Sequence, residues 1–204
     1  MGATGSYMLA LGYEVIKPLP TAPPNPVIWK GVWKQKTIPK LDLFSWTLAH
    51  QSILTSENLQ KRGICGPSRC VLCLSHEETS NHLLLDFPYA KVVWQASLAK
   101  LGVTISILNT VPSLFSSWDK SYPTPIPQKR WLLTGWCALP KFVMWKIWLE
   151  RNYRIFQGKS SQVIRVVSNT EGLLKEFLCS LLYFKPPPSL SLNESSWGSL
   201  MGLP

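Results

Sequence analysis

Charge is scarce in this sequence, and negative charge scarcest. Asp, Glu, Lys and Arg make up 16% of 204 residues, with 11 acidic side chains against 21 basic ones. With apolar residues at 46%, the chain falls outside the composition of disordered proteins. Catalytic signatures are missing too. There is no aspartate pair in a Tyr-x-Asp-Asp-like setting, no nuclease carboxylate cluster, no glycine loop to cradle phosphate and no Gly-x-Ser-x-Gly elbow. No enzyme is expected. His50 stands alone near a helix end and reads as a surface or capping residue rather than a base. No cleavable signal is expected, since Met1 to Leu11 is short, lacks a basic start and carries no convincing cleavage site. The longest apolar stretch, Trp131 to Leu149, contains Lys141, Lys146 and Pro140. Each lysine near a bilayer centre costs about 3 kcal/mol, so the stretch reads as a core helix. Five cysteines, an odd number with two in a tight pair, fit a reducing, intracellular setting, nuclear or cytoplasmic, and a metal site better than a disulfide framework.

What is present is basic and aromatic. The net charge is +10 and there are ten tryptophans. Such a surplus suits polyanionic partners, nucleic acid first and an anionic membrane surface second, the latter through the Trp131 to Trp148 segment. Trp29 and Trp33 stand one helical turn apart, and Pro39 is expected to close that turn. Leu41, Phe44, Leu48 and Gln51 recur at helical spacing, and Ser56 is expected to cap a short helix over 57–62 that Gly63 ends. Residues 82–101 read as one helix. Phe142, Trp145, Leu149 and Phe156 predict the buried stripe of a helix over 141–157, with Lys146, Glu150 and Arg154 on its wet side. A last helix over 162–183 carries Val163, Val167, Leu174, Phe177 and Leu181 on one face, with Gly172 weakening its middle. Trp29, Trp33, Trp145 and Trp148 are expected in the core, as are the small side chains of Cys137 and Cys179.

Cys70 and Cys73 form a Cys-x-x-Cys pair, a spacing that lets two thiolates bind one tetrahedral ion about 2.3 Å from each sulfur. The segment Glu77-Glu-Thr-Ser-Asn-His82 follows and leads into apolar residues, placing His82 to supply an imidazole nitrogen. Zinc is the expected ion.

Several phrases then fall in a fixed order. They are Ile28-Trp-Lys-Gly-Val-Trp33, Ile38-Pro-Lys-Leu-Asp-Leu-Phe-Ser-Trp46, Ile53-Leu-Thr-Ser-Glu-Asn-Leu59 with Arg62-Gly63, Cys70-Val-Leu-Cys73, His82-Leu-Leu-Leu and Val93-Trp94. Trp148-Leu-Glu-Arg-Asn-Tyr-Arg-Ile-Phe156 comes after them. This order resembles the plant reverse transcriptase zinc-binding domain, the module that follows the polymerase of LINE-type non-LTR retrotransposons. The resemblance implies a zinc site of two cysteines, a histidine and a final cysteine. In this chain the final slot is Phe87, which cannot coordinate. Cys65, His76 and Asp86 are the candidate substitutes, with Cys65 placed first.

The expected architecture is mainly α, a small helical zinc-binding domain followed by a helical extension between flexible Pro-rich termini. Its divisions are a lead-in over 1–26, the zinc-binding domain over 27–108, a Pro-rich linker over 109–130, a Trp-rich amphipathic region over 131–185 and a tail over 186–204. Short strands around the cysteine loop are allowed. Lys30, Lys34, Lys61, Arg62, Arg69, Arg151 and Arg154 are the expected contacts to RNA or DNA, salt-sensitive and independent of sequence. The rival expectation is a metal-free interaction fragment, a retroelement remnant with no nucleic-acid role.

Overall fold

Proline begins helices here more often than it ends them. The computed structural model describes residues 26–122 and 130–184. Within it α1 (Pro26–Lys34) and α4 (Pro88–Ala99) start on proline, as does α2 (Pro39–Ala49), while Pro112 stands in the first turn of α5 (Val111–Ser117). The first N–H groups of a helix have no intrahelical acceptor, so a residue without an N–H loses nothing there. Pro39 therefore opens α2 instead of closing the turn before it. The same effect places α5, and a 3-10 turn over Trp118–Ser121, inside the segment expected to be a linker. The remaining helices are α3 (Ser56–Lys61), α6 (Arg130–Gln157) and α7 (Val163–Phe184). Segments 1–25, 123–129 and 185–204, which take in most of the expected Pro-rich lead-in and tail, lie outside the described residues. Among the described residues there is no strand, and the cysteine loop holds a single bridge between Arg69 and Glu77.

Pro140 lies inside α6, where it removes the hydrogen bond that would reach back four residues to the carbonyl of Trp136. That carbonyl is not left bare. The indole N–H of Trp118 donates to it at 2.8 Å, and the indole of Trp136 donates in return to the carbonyl of Trp118 at 3.1 Å. The two rings stack at 4.6 Å with 14° between their planes. An uninterrupted helix is thus completed by a neighbouring tryptophan.

One hydrophobic cluster runs through the described residues, from Val32 and Leu41 through Leu83, Trp94, Leu114 and Trp136 to Phe142, Leu174 and Leu178. Its makeup corrects several expectations. Trp94, Trp118 and Trp136 are the buried tryptophans, whereas Trp29, Trp145 and Trp148 are half-buried and Trp33 is 43% exposed. On α6 the burial register is turned. Leu149 and Phe156 face solvent, the latter 77% exposed, while Glu150 and Arg151 are buried. The reason is that α6 packs against α2 on one side and α7 on another, so no single stripe describes it. Lys141 is enclosed as well, donating to Asp42 at 2.6 Å and to the Gln35 carbonyl at 2.7 Å. Burial pushes its ammonium below the usual lysine range, against the pull of Asp42. Lys141, Phe142, Val143, Met144 and Ile147 of that segment are buried. Among the described residues no helix is long and apolar enough to cross one. Cys137 is half-buried against the core, and Cys179 is exposed.

Candidate metal centre and the basic loop beside it

The loop from Arg62 to Asn81 is shaped by its own backbone. Gly63 takes a φ of +75°, a left-handed turn that costs glycine nothing and ends α3. Leu74 takes a φ of +59° and pays the usual β-carbon penalty there. Its N–H donates to the Cys70 carbonyl at 2.8 Å, and the Cys70 N–H donates to the His76 carbonyl at the same distance. The chain around the cysteine pair is therefore folded back on itself, with the Arg69–Glu77 bridge closing its base.

This knuckle points backbone donors at both sulfurs. Burial pushes the Cys70 thiol up, against the N–H groups of Leu72 and Cys73 that it accepts. Burial also raises Cys73, but the side chains and N–H groups of Ser75 and His76 outweigh it and hold the thiol down at about 5. Cys73 thus has a preformed thiolate character. His82 arrives from the other side, where residues His82–Asp86 form a single π turn whose start is fixed by the Thr79 hydroxyl, an acceptor for the His82 N–H at 3.1 Å. The Nε2 of His82 lies 3.3 Å from the Cys73 sulfur. The ligand atoms of Cys70, Cys73 and His82 all lie within 4.8 Å of one another. Two thiols and an imidazole at this separation, with backbone donors supporting the sulfurs, are a donor set that fits zinc. One helix over 82–101 was expected. Instead the π turn ends at Phe87, whose extended backbone lets Pro88 restart the chain as α4.

Phe87 is buried, and its ring lies 5.8 Å from that of His82. Cys65, the first-placed substitute ligand, is exposed and stands outside the Cys70, Cys73, His82 group, as does Asp86. The reason is local. Cys65 sits beyond Gly63 and before Pro67 on an outward excursion that the Gln60 side chain ties down through the Gly66 carbonyl, 3.3 Å away.

Glu78 holds the loop in place, a role that the sequence alone does not indicate. Fully buried, its carboxylate receives the Arg151 guanidinium at 2.5 Å and 3.2 Å and the Ser56 N–H at 3.0 Å. It therefore supplies the cap at the start of α3 that Ser56 was expected to provide, and it anchors the knuckle to α6. No local signal announces it, because its partners lie 22 and 73 residues away.

The basic residues separate into two kinds. Arg151 is corrected from phosphate contact to structural counter-ion, its side chain 6% exposed and stacked on Trp148 at 4.9 Å. Arg154 donates to Glu150 and lies over the Tyr89 ring, and Lys34 is paired with Asp119. Lys61, the last residue of α3, and Arg62 and Arg69, on the loop that runs into Cys70, are exposed, with Lys61 paired to Glu57 and Arg62 donating weakly to the Ser52 carbonyl. Lys30 is exposed, with no side-chain partner among the described residues. His50 is the C-cap residue of α2, its ring held 5.2 Å from Trp29 and 4.5 Å from Trp46.

Residues 9–94 match the family model described as zinc-binding in reverse transcriptase. Neither the curated proteins nor the solved structures contain a match to this chain.

Proposed function

We propose that the chain, whose residues 9–94 match the family model described as zinc-binding in reverse transcriptase, is a non-catalytic module in which Cys70, Cys73 and His82 hold one zinc ion beside a loop that contacts RNA or DNA. The observation that carries the reading is the convergence of those three ligand atoms within 4.8 Å. Bound zinc would supply folding energy to the knuckle, as it does in structural sites generally. The chain's own residues do the rest. Leu74 turns the backbone, Ser75 and His76 stabilise the Cys73 thiolate, and Thr79 fixes the start of the turn that presents His82.

Nucleic-acid contact is supported by position and charge. Lys61, Arg62 and Arg69 stand exposed in the segment that enters the metal site, on a chain of net charge +10. Contacts of this type neutralise phosphates without reading bases, so RNA and DNA bind alike and affinity falls steeply with salt. The order of motifs supports a plant LINE-type origin and an intracellular location, nuclear or cytoplasmic.

Elemental mass spectrometry of the chain purified without added metal tests the metal half. The expected result is about one zinc per chain, absent from a Cys70→Ser/Cys73→Ser variant. Stripping the zinc with a chelator lowers the melting temperature, by about 4 kcal/mol of stability where free zinc had stood 1,000-fold above its Kd. No zinc in either protein would leave the metal-free fragment, which the buried Glu78–Arg151 and Lys141–Asp42 pairs make physically sound, as the better reading. The nucleic-acid half is read from salt titrations. Arg62→Ala/Arg69→Ala should weaken binding equally for unrelated sequences and reduce the slope of log K against log salt by about 2, one for each lost phosphate contact. An unchanged slope removes the loop from the interface.

A further inference from the structure

We propose that His76 is the fourth ligand of the metal site, replacing the cysteine whose slot in this chain is filled by Phe87. The inference rests on the zinc reading above and assigns its missing coordination position.

A tetrahedral ion with sulfur and imidazole ligands sets the separation between neighbouring donor atoms. With bonds of about 2.3 Å to sulfur and 2.0–2.1 Å to nitrogen, each S···N edge is about 3.6 Å. Around the Cys73 sulfur two such edges are already in place, with His82 Nε2 at 3.3 Å and His76 Nδ1 at 3.9 Å. These values bracket the ideal. The two imidazoles lie 29° from parallel with centroids 5.3 Å apart, so both rings approach the same side of the knuckle. The left-handed Leu74 brings this about by turning the chain after Cys73, so that a residue three positions later returns to the sulfur.

His76 does not meet the 4.8 Å limit that the other three ligand atoms meet mutually. Its side chain is exposed, with the Ser75 hydroxyl as its other polar neighbour at 3.0 Å, so the ring can turn about its side-chain torsions without displacing buried atoms. The rivals lack that freedom or that position. Phe87 offers no donor. Glu78 is nearby, but both its oxygens are committed to Arg151 and Ser56. Cys65 and Asp86 stand outside the group.

Cobalt(II) substitution and zinc competition against a chromophoric chelator, both on the full chain, test the assignment. The wild type is expected to give the intense visible absorption of four-coordinate cobalt with two thiolates. His76→Ala should weaken zinc binding at least about tenfold, since even outer-shell partners of metal ligands contribute that much. It should also diminish the cobalt d–d bands as water enters. His76→Cys should restore affinity and add thiolate charge-transfer intensity, while Cys65→Ser and Asp86→Asn change neither reading. Unchanged affinity and spectrum in His76→Ala, or loss in Cys65→Ser instead, overturns the fourth-ligand assignment alone. A wild type that takes up neither metal overturns the zinc reading itself, and this inference with it.

Discussion

Glu78→Ala is expected to lower the stability of the full chain by about 3–5 kcal/mol, the cost of leaving one member of a buried ion pair unmatched. For a chain of this length that is about 10 °C in melting temperature. The deleted carboxylate receives two bonds from Arg151 and one from the first N–H of α3, and the guanidinium left behind is 6% exposed. The loss therefore has three parts. A buried cation loses its counter-ion, a helix start loses its cap, and the knuckle loses its tie to α6. Glu78→Gln keeps the shape and two acceptor lone pairs and should cost less. Combining Glu78→Leu with Arg151→Met should recover much of the deficit, because apolar side chains of similar volume often replace a buried pair at little or no cost. Thermal denaturation of the wild type, Glu78→Leu, Arg151→Met and the double variant forms a double-mutant cycle that isolates the pair. A fall of less than about 3 °C in Glu78→Ala would mean that Arg151 relaxes into water and that the pair is not a tie; that threshold is about 1 kcal/mol at this chain length.

The second large effect comes from the smallest change. A methyl group at Gly31 would lie 2.6 Å from the carbonyl carbon of Phe115 and closer still to its oxygen. Those atoms are backbone and cannot turn aside, so α1 must lift from α5. That movement opens the burial of Val32 and Leu114 and stretches the Lys34–Asp119 pair. Alanine would otherwise favour a helix by about 1 kcal/mol over glycine. Overpacking strain of 1–3 kcal/mol or more exceeds that gain, and with backbone on the far side of the contact Gly31→Ala should destabilise by about 2 kcal/mol net. Gly172→Ala supplies the opposite sign. Nothing lies within 4 Å of a β-carbon placed there, in the middle of α7, so the same substitution should stabilise by about 0.5–1 kcal/mol. Should both variants melt higher than wild type, the close approach of α1 and α5 is wrong.

Gly31 and Glu78 also mark the limit of what this sequence tells on inspection. Local spacing singled out Cys70, Cys73 and His82, whose ligand atoms the fold brings within 4.8 Å of one another, because the return of a short loop is encoded within a dozen residues. It revealed that Trp29 and Trp33 share a helical face, and that α7 carries Val167, Leu174 and Phe177 inward. It did not reveal which helical face is dry when two neighbours compete for it. Arg151 is buried against Glu78, 73 residues away, and Glu150 receives Arg154 and the Ser161 N–H from just beyond the helix end, while Leu149 and Phe156 are left outside. Proline misled for a related reason. Pro39 and Pro112 look like breaks until the helix that each begins is known, and Pro140 is tolerated because an indole from a separate segment takes up the freed carbonyl. His76 stands beside the cysteine pair in the sequence, but only the left-handed turn at Leu74 returns its ring to within 3.9 Å of the Cys73 sulfur.

The distance in sequence between Glu78 and its counter-ion acquires a meaning during synthesis. The knuckle and His82 leave the ribosome first, while Arg151 is added 73 residues after Glu78. At 5–20 residues per second that interval lasts about 4–15 s. Through it the Glu78 carboxylate lacks its counter-ion and the core beneath the π turn is open. The nascent knuckle must therefore stay in solution for seconds, held by its own short-range turns, before the rest of the protein exists to enclose it.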